Sequence, residues 1–404
     1  MVEESEKSKD NDNDLLQIKA EILKQKIDKG EDIFILDVRT PEEHKEWKIS
    51  YDKYKDSSLI PIDDLSSPDA LKNIPKDKEI VTFCAHGNRS MSAAKILSQH
   101  GYNAKSIKGG LDGWNDVYDV AVIPSTDSNS KSPVRIWQLR RVSKGCMTYI
   151  VSSASRENAD SKNAIVIDPT CGVNKPIDKI AKENNLCITN AIDTHMHADH
   201  VSGATKLAKV AGDGVCISSI EGYQIHNDTG LTTVNQIRDG DRIHLSDGIQ
   251  LDAVHTPGHT KGSMSFKLTL NGNSTYVFTG DLLFVDGIGR PDLHDKAEEF
   301  TDSLFDTYHQ KILNLPDETI ILPAHFSASF EHEKPVLATI ESIRKKIRIL
   351  SAPYEEFAKF LMNNIPSQPM NYKKIMDINK NMTPCDTIKV ADLEAGSNSC
   401  GVIG

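Results

Sequence analysis

A chain of 404 residues with a formal net charge of -11 has room for two or three domains, each able to bury a core without crosslinks, and is a poor general partner for a nucleic-acid backbone. Seven cysteines, odd in number and without a CxxC pair, argue against a disulfide scaffold or a structural zinc knuckle. The charged N-terminus MVEESEKSKDNDNDLL has no apolar h-region and no stretch reaches transmembrane length, so a cytoplasmic location with no membrane partner is expected. Residues 1–14 have the composition of a disordered tail. LLQIKAEILKQKIDKG places apolar residues at helical spacing before a glycine stop, and IFILDVRT and EIVTFCA are short apolar runs of the buried-strand kind. SMSAAKILSQHG predicts a helix closed by glycine, and AKSIKGGLDGW a strand, a turn and a short helix. This alternation predicts a small α/β domain with a parallel sheet over 15–124. Residues 125–134, rich in Ser, Pro, Asn and Asp, read as a linker. Strand candidates then follow closely: CMTYIVSS, NAIVIDPT, LCITNAIDTH, GVCISS, IQLDAVHT, SMSFKLTL, STYVFTGD and ETIILPAH. They predict a larger, strand-rich domain over 135–350, and residues 351–404 form a C-terminal extension with one predicted helix.

Two stretches carry chemistry. THMHADH (194–200) sets four metal-ligand types, His195, His197, Asp199 and His200, close together, where a satisfied structural histidine would stand alone. Metal sites need several such donors converging at about 2.0–2.2 Å from one ion. Three more donors lie at strand ends, where loops build sites: His259 in TPGHT, Asp281 after Gly280 in TGD, and His325 in PAH. In CAHGNRS (84–90), Cys84 precedes a turn holding Gly87 and Arg89, and Ser90 opens a helix. Such a turn aims backbone N–H groups at one sulfur. Together with the helix N-terminus and Arg89 they favour a thiolate, and they would hold a persulfide or a sulfur oxyanion in the same way. Of the other cysteines, Cys146, Cys171, Cys187 and Cys216 read as core residues, and Cys400 as part of a flexible tail.

CAHGNRS resembles the rhodanese active loop C-x-x-G-x-R-S. ILDVRTPEEH (35–44) and IKGGLDGW (107–114) match that family's flanking landmarks, and the resemblance covers about residues 17–124. It implies that Cys84 carries sulfane sulfur and that Arg89 helps hold an anionic substrate. The order HxHxDH, TPGHT, GD, PAH resembles the metallo-β-lactamase superfamily over about residues 135–350. The fold class implied is an α/β rhodanese domain followed by an αβ/βα metallo-β-lactamase sandwich. In that superfamily His195, His197 and His259 would hold one metal, Asp199, His200 and His325 a second, with Asp281 bridging.

GDLLFVDGIGRPDL (280–293) and NYKKIMDIN (371–379) resemble the persulfide dioxygenase branch. That resemblance implies one Fe(II) per chain on His195, His259 and Asp281, a facial arrangement with open positions for substrate and dioxygen. His197, Asp199, His200 and His325 would be outer-shell donors or second-metal ligands. Where many members carry an acidic residue and a tyrosine after PAH, this chain has Phe326 and Ser327. The implied function is oxidation of a small thiol persulfide to thiol and sulfite, coupled to rhodanese sulfur transfer with thiosulfate or sulfite. The alternative is a glyoxalase II-like thioester hydrolase with two zinc or mixed metal ions and a fused sulfurtransferase. A homo-oligomer is compatible with the sequence, since dimers are common among soluble chains.

Overall fold

The computed structural model describes residues 14–49, 51, 57–124, 134–153, 162–209, 214–224, 233–270, 273–291, 297–326, 330–368, 370–396 and 399–403. Of the expected tail over 1–14 and linker over 125–134, all but Asp14 and Val134 lie outside them, as does Ser327, and Val134 opens a strand. The chain divides into two compact units, one reaching Val117 and including Arg141–Lys144, the other holding Tyr118–Arg140 and Gly145 onward.

The first unit is an all-parallel sheet. Its strands β1 (Gln17–Ile18), β2 (Ile33–Asp37), β3 (Ser58–Leu59), β4 (Glu79–Phe83) and β5 (Ala104–Ile107) lie in the order β1-β5-β4-β2-β3. Helices α1 (Ala20–Asp28), α2 (Pro41–Glu46), α3 (Pro68–Lys72), α4 (Asn88–Gln99) and α5 (Gly110–Asn115) alternate with the strands. Parallel strands are covered on both faces, which is why β4 is buried continuously over Ile80–Phe83 rather than at alternate residues. Leu36 and Ile80 pack with Ala93, Ala94 and Leu97 of α4. Cys84 is the first residue past β4, so it emerges at the carboxyl end of the sheet, where open α/β sheets bind ligands.

The second unit stacks two sheets. One holds β6 (Tyr118–Val122), β7 (Val134–Arg141), β8 (Met147–Ser153), β9 (Lys162–Ile167), β10 (Leu186–Ile192), β11 (Gly214–Ser218) and β12 (Val234–Ile237), in reverse order from β12 to β6. Helices α6 (Asn174–Asn184) and α7 (Ala204–Leu207) lie between its strands in sequence. The other sheet holds β13 (Arg242–Ser246), β14 (Ile249–His255), β15 (Met264–Leu270), β16 (Asn273–Gly280), β18 (Ile320–Pro323) and β19 (Ala338–Thr339), and β17 (Gly287–Gly289) stands apart from it. β6, read from sequence into the first domain, lies beside β7 in the larger sheet, and Ile123 donates its N–H to Ile136 O.

Period-two alternation splits the strand side chains between two cores. From β9, Ile165 and Ile167 face the inter-sheet core with Leu251, Phe266 and Phe278, whereas Ala164 and Val166 join Ile177 and Ile180 of α6 on the outer face. Leu304 of α8 (Ala297–Thr307), Ile343 of α9 (Ile340–Lys346) and Phe357 of α10 (Tyr354–Asn364) cover the other sheet's outer face. The result is the helix–sheet–sheet–helix sandwich expected from sequence.

The C-terminal extension is more structured than one helix. Besides α10 it forms α11 (Tyr372–Lys380), α12 (Val390–Leu393) and β20 (Gly401–Ile403), and β20 pairs antiparallel with β17. Cys385 is joined to Cys171 by a disulfide across a sequence separation of 214. Both pack with Val201, Ile375 and Leu393 in a small satellite core. The expectation of core thiols without crosslinks is thus corrected at Cys171, and Cys187 is exposed rather than buried. A count of scattered cysteines carries no information about a pair brought together by the extension's return to the sandwich. Cys385→Ser should lower unfolding stability by about 2–4 kcal/mol. Urea titration of the variant and of the dithiothreitol-treated parent should give matching shifts, and no shift on reduction would contradict the crosslink.

Candidate metal centre and sulfur-carrying loop

β10 ends at Ile192, and Asp193–Ser202 then run as a buried turning segment outside any strand or helix, with only a few backbone hydrogen bonds at its ends. A buried loop must satisfy its backbone through side chains. Asp168 Oδ1 accepts from Thr194 N at 2.7 Å, and Asn379 Nδ2 donates to His197 O and His200 O, each at 2.9 Å. Ser202 N donates to Asn379 Oδ1 at 2.9 Å, Val201 N to Glu394 Oε1 at 2.6 Å, and Tyr223 Oη to His195 O at 3.2 Å. The extension therefore helps to build this loop.

Three donors converge. His195 from the loop, His259 after the Pro257–Gly258 turn and Asp281 at the end of β16 place ligand atoms within 4.8 Å of one another, all buried. Each imidazole Nε2 lies 3.6 Å from Asp281 Oδ2, too far for a hydrogen bond. None of these three buried atoms has a hydrogen-bond partner. Two imidazole nitrogens and a carboxylate oxygen, inward-facing and otherwise unpartnered, fit a divalent metal ion.

The far side of each donor is held. Thr194 Oγ1 donates to Asp168 Oδ2 at 3.0 Å, so at 2.9 Å it accepts from His195 Nδ1 and leaves Nε2 as the free lone pair. His259 Nδ1 donates to Arg290 O at 3.0 Å, with the same result. His325 Nδ1 donates to Asp281 Oδ1 at 2.5 Å, leaving Oδ2 inward. Burial pushes the His259 pKa down to about 3, so its ring is neutral, the state a ligand needs. Burial opposes the charge on Asp281, but His325 and His195 outweigh it and hold the carboxyl well below its usual range. Gly280 has φ +55°, and a Cβ there would come within 2.5 Å of Thr194 Oγ1 and 3.4 Å of His195 Nδ1, so the loop closes only over glycine.

The remaining sequence candidates stand apart from this triad. His197 Nε2 lies 3.2 Å from Asp168 Oδ1, in a separate cluster with Asp193. Asp199, His200 and His325 gather with Cys146 in a second buried cluster. Within it His200 Nδ1 and His325 Nε2 each lie 3.0 Å from Asp199, and Cys146 Sγ donates to Asp199 Oδ2 at 3.4 Å. His325 thus bridges Asp199 and Asp281. Cys400, expected in a flexible tail, is 4 % exposed and forms a cluster with Asp281 and His325. The β17–β20 pairing carries it there, and Arg290 N donates to Cys400 O at 3.1 Å. Sequence reasoning missed Asp168, Asn379, Arg290 and Cys146 as supports of the site. Only Arg290, inside GRPDL, and Asn379, inside NYKKIMDIN, sat in segments already singled out. Phe326 stacks edge-on against Phe330 at 4.7 Å, and both line a cavity of about 280 Å³ together with Asp286, Glu331 and Lys334.

In the first unit, Cys84 is 2 % exposed, and its Sγ accepts from Gly87 N at 3.1 Å and Ser90 N at 3.4 Å. The loop is closed by Leu111 N donating to Cys84 O and Asp112 N to Ala85 O. Gly110 has φ +60°, and a Cβ there would lie 2.2 Å from Cys84 O. Arg89 does not face the sulfur alone. Its guanidinium makes a two-pronged pair with Glu43, Nη1 to Oε2 at 2.9 Å and Nη2 to Oε1 at 2.6 Å. Hydrogen bonding to Arg89 pulls the Glu43 pKa down to about 2. Stability from this carboxylate is complete above its ordinary value of 4.5 and is lost as pH falls through about 2. Asp37 and Arg39 pair with each other at 2.7 Å beneath α2, a structural brace. Glu43 was not singled out from sequence, although Thr40-x-x-Glu43 is a visible capping box.

The family model for the rhodanese-like domain matches residues 19–116, and that for the metallo-beta-lactamase superfamily residues 151–325. The mitochondrial persulfide dioxygenase ETHE1 of Homo sapiens is 30% identical over 245 residues, 60% of this chain and 86% of that protein. The chain belongs to the persulfide-dioxygenase-like branch of the metallo-β-lactamase superfamily, with a rhodanese-like domain ahead of it. The Bos taurus ETHE1 is also 30% identical, over 84% of its length. The crystal structure of ETHE1 from Myxococcus xanthus matches with a TM-score of 0.50 at 26% identity, covering 61% of this chain and 97% of that one. A hydroxyacylglutathione hydrolase of Erwinia tasmaniensis is 32% identical, over 42% of this chain and 59% of its own length. Among the described residues no helix is long and apolar enough to cross a membrane.

In this metallo-β-lactamase-like domain, His325 orients Asp281 from behind. Removing such a partner weakens metal binding by about 10–100-fold. His325→Ala should show that loss in a competition titration against a chelator while His195, His259 and Asp281 remain. An affinity equal to the parent's would mean that His325 does not support the triad.

Proposed function

We propose that the protein is a persulfide dioxygenase coupled to a sulfurtransferase. The dioxygenase domain, about residues 135–350, would hold one Fe(II) on His195, His259 and Asp281, and the rhodanese-like domain, about residues 15–124, would carry sulfane sulfur on Cys84. The observation that carries the metal assignment is the triad of buried, mutually facing and otherwise unpartnered donor atoms. The similarity to persulfide dioxygenases across most of their length supports the reaction type. Two histidines and one carboxylate leave coordination positions open, and iron bound there would supply redox chemistry with dioxygen.

The overall reaction balances as RSSH + O2 + H2O giving RSH, sulfite and two protons. The chain's own groups prepare the site. Thr194 and Arg290 O fix the two imidazole tautomers, and His325 keeps Asp281 ionised through its Nδ1 proton. Burial of the three ligands keeps bulk water from them. Sulfite leaving this domain is an acceptor for a Cys84 persulfide, giving thiosulfate. In the reverse direction thiosulfate charges Cys84, and a small thiol takes the sulfur on.

A second reading, a two-metal thioester hydrolase, is favoured by the cluster of Cys146, Asp199, His200 and His325 and by the partial similarity to a hydroxyacylglutathione hydrolase. Against it, both ring nitrogens of His325 are engaged by carboxylates, Asp281 and Asp199.

Two substitutions test the coupled scheme. Cys84→Ser removes the sulfur nucleophile and should abolish sulfur transfer from thiosulfate, while oxygen uptake with a preformed small persulfide persists. His259→Ala should do the reverse. With thiosulfate plus thiol as the only sulfur source, neither variant should consume oxygen. Loss of oxygen uptake by Cys84→Ser on preformed persulfide, with iron and fold retained, would overturn the division of labour.

A further inference from the structure

The geometry points to Glu43 as a specificity-determining residue that sets the charge selectivity of the Cys84 loop, disfavouring doubly charged sulfur donors relative to singly charged ones. This rests on the sulfurtransferase reading of the rhodanese-like domain. Arg89 is the loop's own cation, set between the two residues whose N–H groups bind the sulfur, Gly87 and Ser90, and the natural attraction for an incoming anion. Glu43, the third residue of α2, meets it fork to fork at 2.6 and 2.9 Å. Glu43 is ionised throughout the working pH range, its pKa standing at about 2. Arg89 is always charged. The pair therefore presents no net charge to the donor at any pH at which the enzyme works.

The sulfur itself is held by the N–H groups of Gly87 and Ser90, with the Arg89 guanidinium beside them offset by Glu43. The carboxylate also repels every incoming anion, and a dianion twice as strongly as a monoanion. Glu43 leaves Arg89 three of its five N–H donors, so the guanidinium keeps its orientation while its charge is offset.

The transfer steps at stake differ only in donor charge. With thiosulfate, the Cys84 thiolate attacks the outer sulfur, the S–S bond breaks, and sulfite leaves with the bonding pair: Cys84–S⁻ + S2O3²⁻ gives Cys84–S–S⁻ + SO3²⁻. With methanethiosulfonate, Cys84–S⁻ + CH3SO2S⁻ gives Cys84–S–S⁻ + CH3SO2⁻. Neither step needs an oxidant or a reductant.

Glu43→Gln removes the charge and keeps the shape. Gln is also accepted at the third position of a capping box, where Glu43 now accepts from Thr40 N at 3.1 Å and donates its own N–H to Thr40 Oγ1 at 3.3 Å. Its amide oxygen can still accept from Arg89. The full-length protein is assayed with cyanide as acceptor and each donor in turn. The ratio of kcat/KM for thiosulfate to that for methanethiosulfonate should rise by roughly threefold or more in Glu43→Gln, through KM, and the rise should shrink as salt is added. Glu43→Asp, which retains the charge, should stay near the parent ratio.

A second readout needs no sulfur transfer. Alkylation of Cys84 by anionic iodoacetate and neutral iodoacetamide, followed on the Cys84 peptide by mass spectrometry, should shift toward iodoacetate in Glu43→Gln. Unchanged or falling ratios in both measurements would overturn the proposal. Turnover of both donors with an unchanged ratio sinks the role of Glu43 and leaves the sulfurtransferase reading standing. A shifted alkylation ratio in a protein that turns over neither donor sinks the sulfurtransferase reading and leaves the charge effect on the loop.

Discussion

Two imidazole nitrogens and a carboxylate oxygen buried within a few ångströms of each other, with no hydrogen bond among them, are costly in an apolar interior unless a cation completes the set. Much of the larger domain is arranged around meeting that constraint. Inter-sheet packing of Ile165, Phe266 and Phe278 fixes the strand ends from which Asp281 and the histidine loop emerge. Gly280 lets the backbone of β16 pass against His195 and Thr194. Asp168, itself at φ +49°, ties the loop through Thr194 and faces His197. The two imidazoles are each held in one tautomer by groups outside the triad, Thr194 and Arg290 O.

The C-terminal extension belongs to the same arrangement. Asn379 binds the carbonyls of His197 and His200, Glu394 binds Val201 N, and Arg290 is held by the carbonyls of Pro366, Ser367 and Ser399 while its own carbonyl orients His259. Strain or loss in this segment would reach the metal ligands through two or three hydrogen bonds. The Cys84 loop is built on a different principle. There the N–H groups of a tight turn do the holding, and the side-chain charges nearby, Arg89 and Glu43, offset one another. The proposed metal centre, made for a cation, and the proposed transfer loop, made for anions, thereby rest on opposite electrostatics in two units.

Much of this was legible in the sequence because the chemistry-bearing residues sit at strand ends in short runs. Cys84 follows EIVTF, Asp281 follows STYVFTG, and His325 follows IILPA. Such runs give both the strand and the site position. What was not legible depends on contacts between distant parts of the chain. Asn379 reaches His197 across 182 residues, and Cys385 reaches Cys171 across 214. Periodicity is local and contains no signal for either. Cys400 looked like a tail residue because β20 is only three residues long and gains its place from β17. Tyr118–Val122 read as the end of one domain because a strand's allegiance is decided by its neighbour, not by its own composition. Glu43 was visible as part of a capping box, but its pairing with Arg89 requires α2 and the Cys84 loop to meet.

The proposed centre holds a single iron on His195, His259 and Asp281 rather than two metals. Anaerobic titration of metal-free protein with Fe(II), followed by metal analysis of the parent and of His200→Ala, tests it most directly. Both proteins should bind about one iron tightly per chain. Two tightly bound metals in the parent, with one lost in His200→Ala, would contradict it.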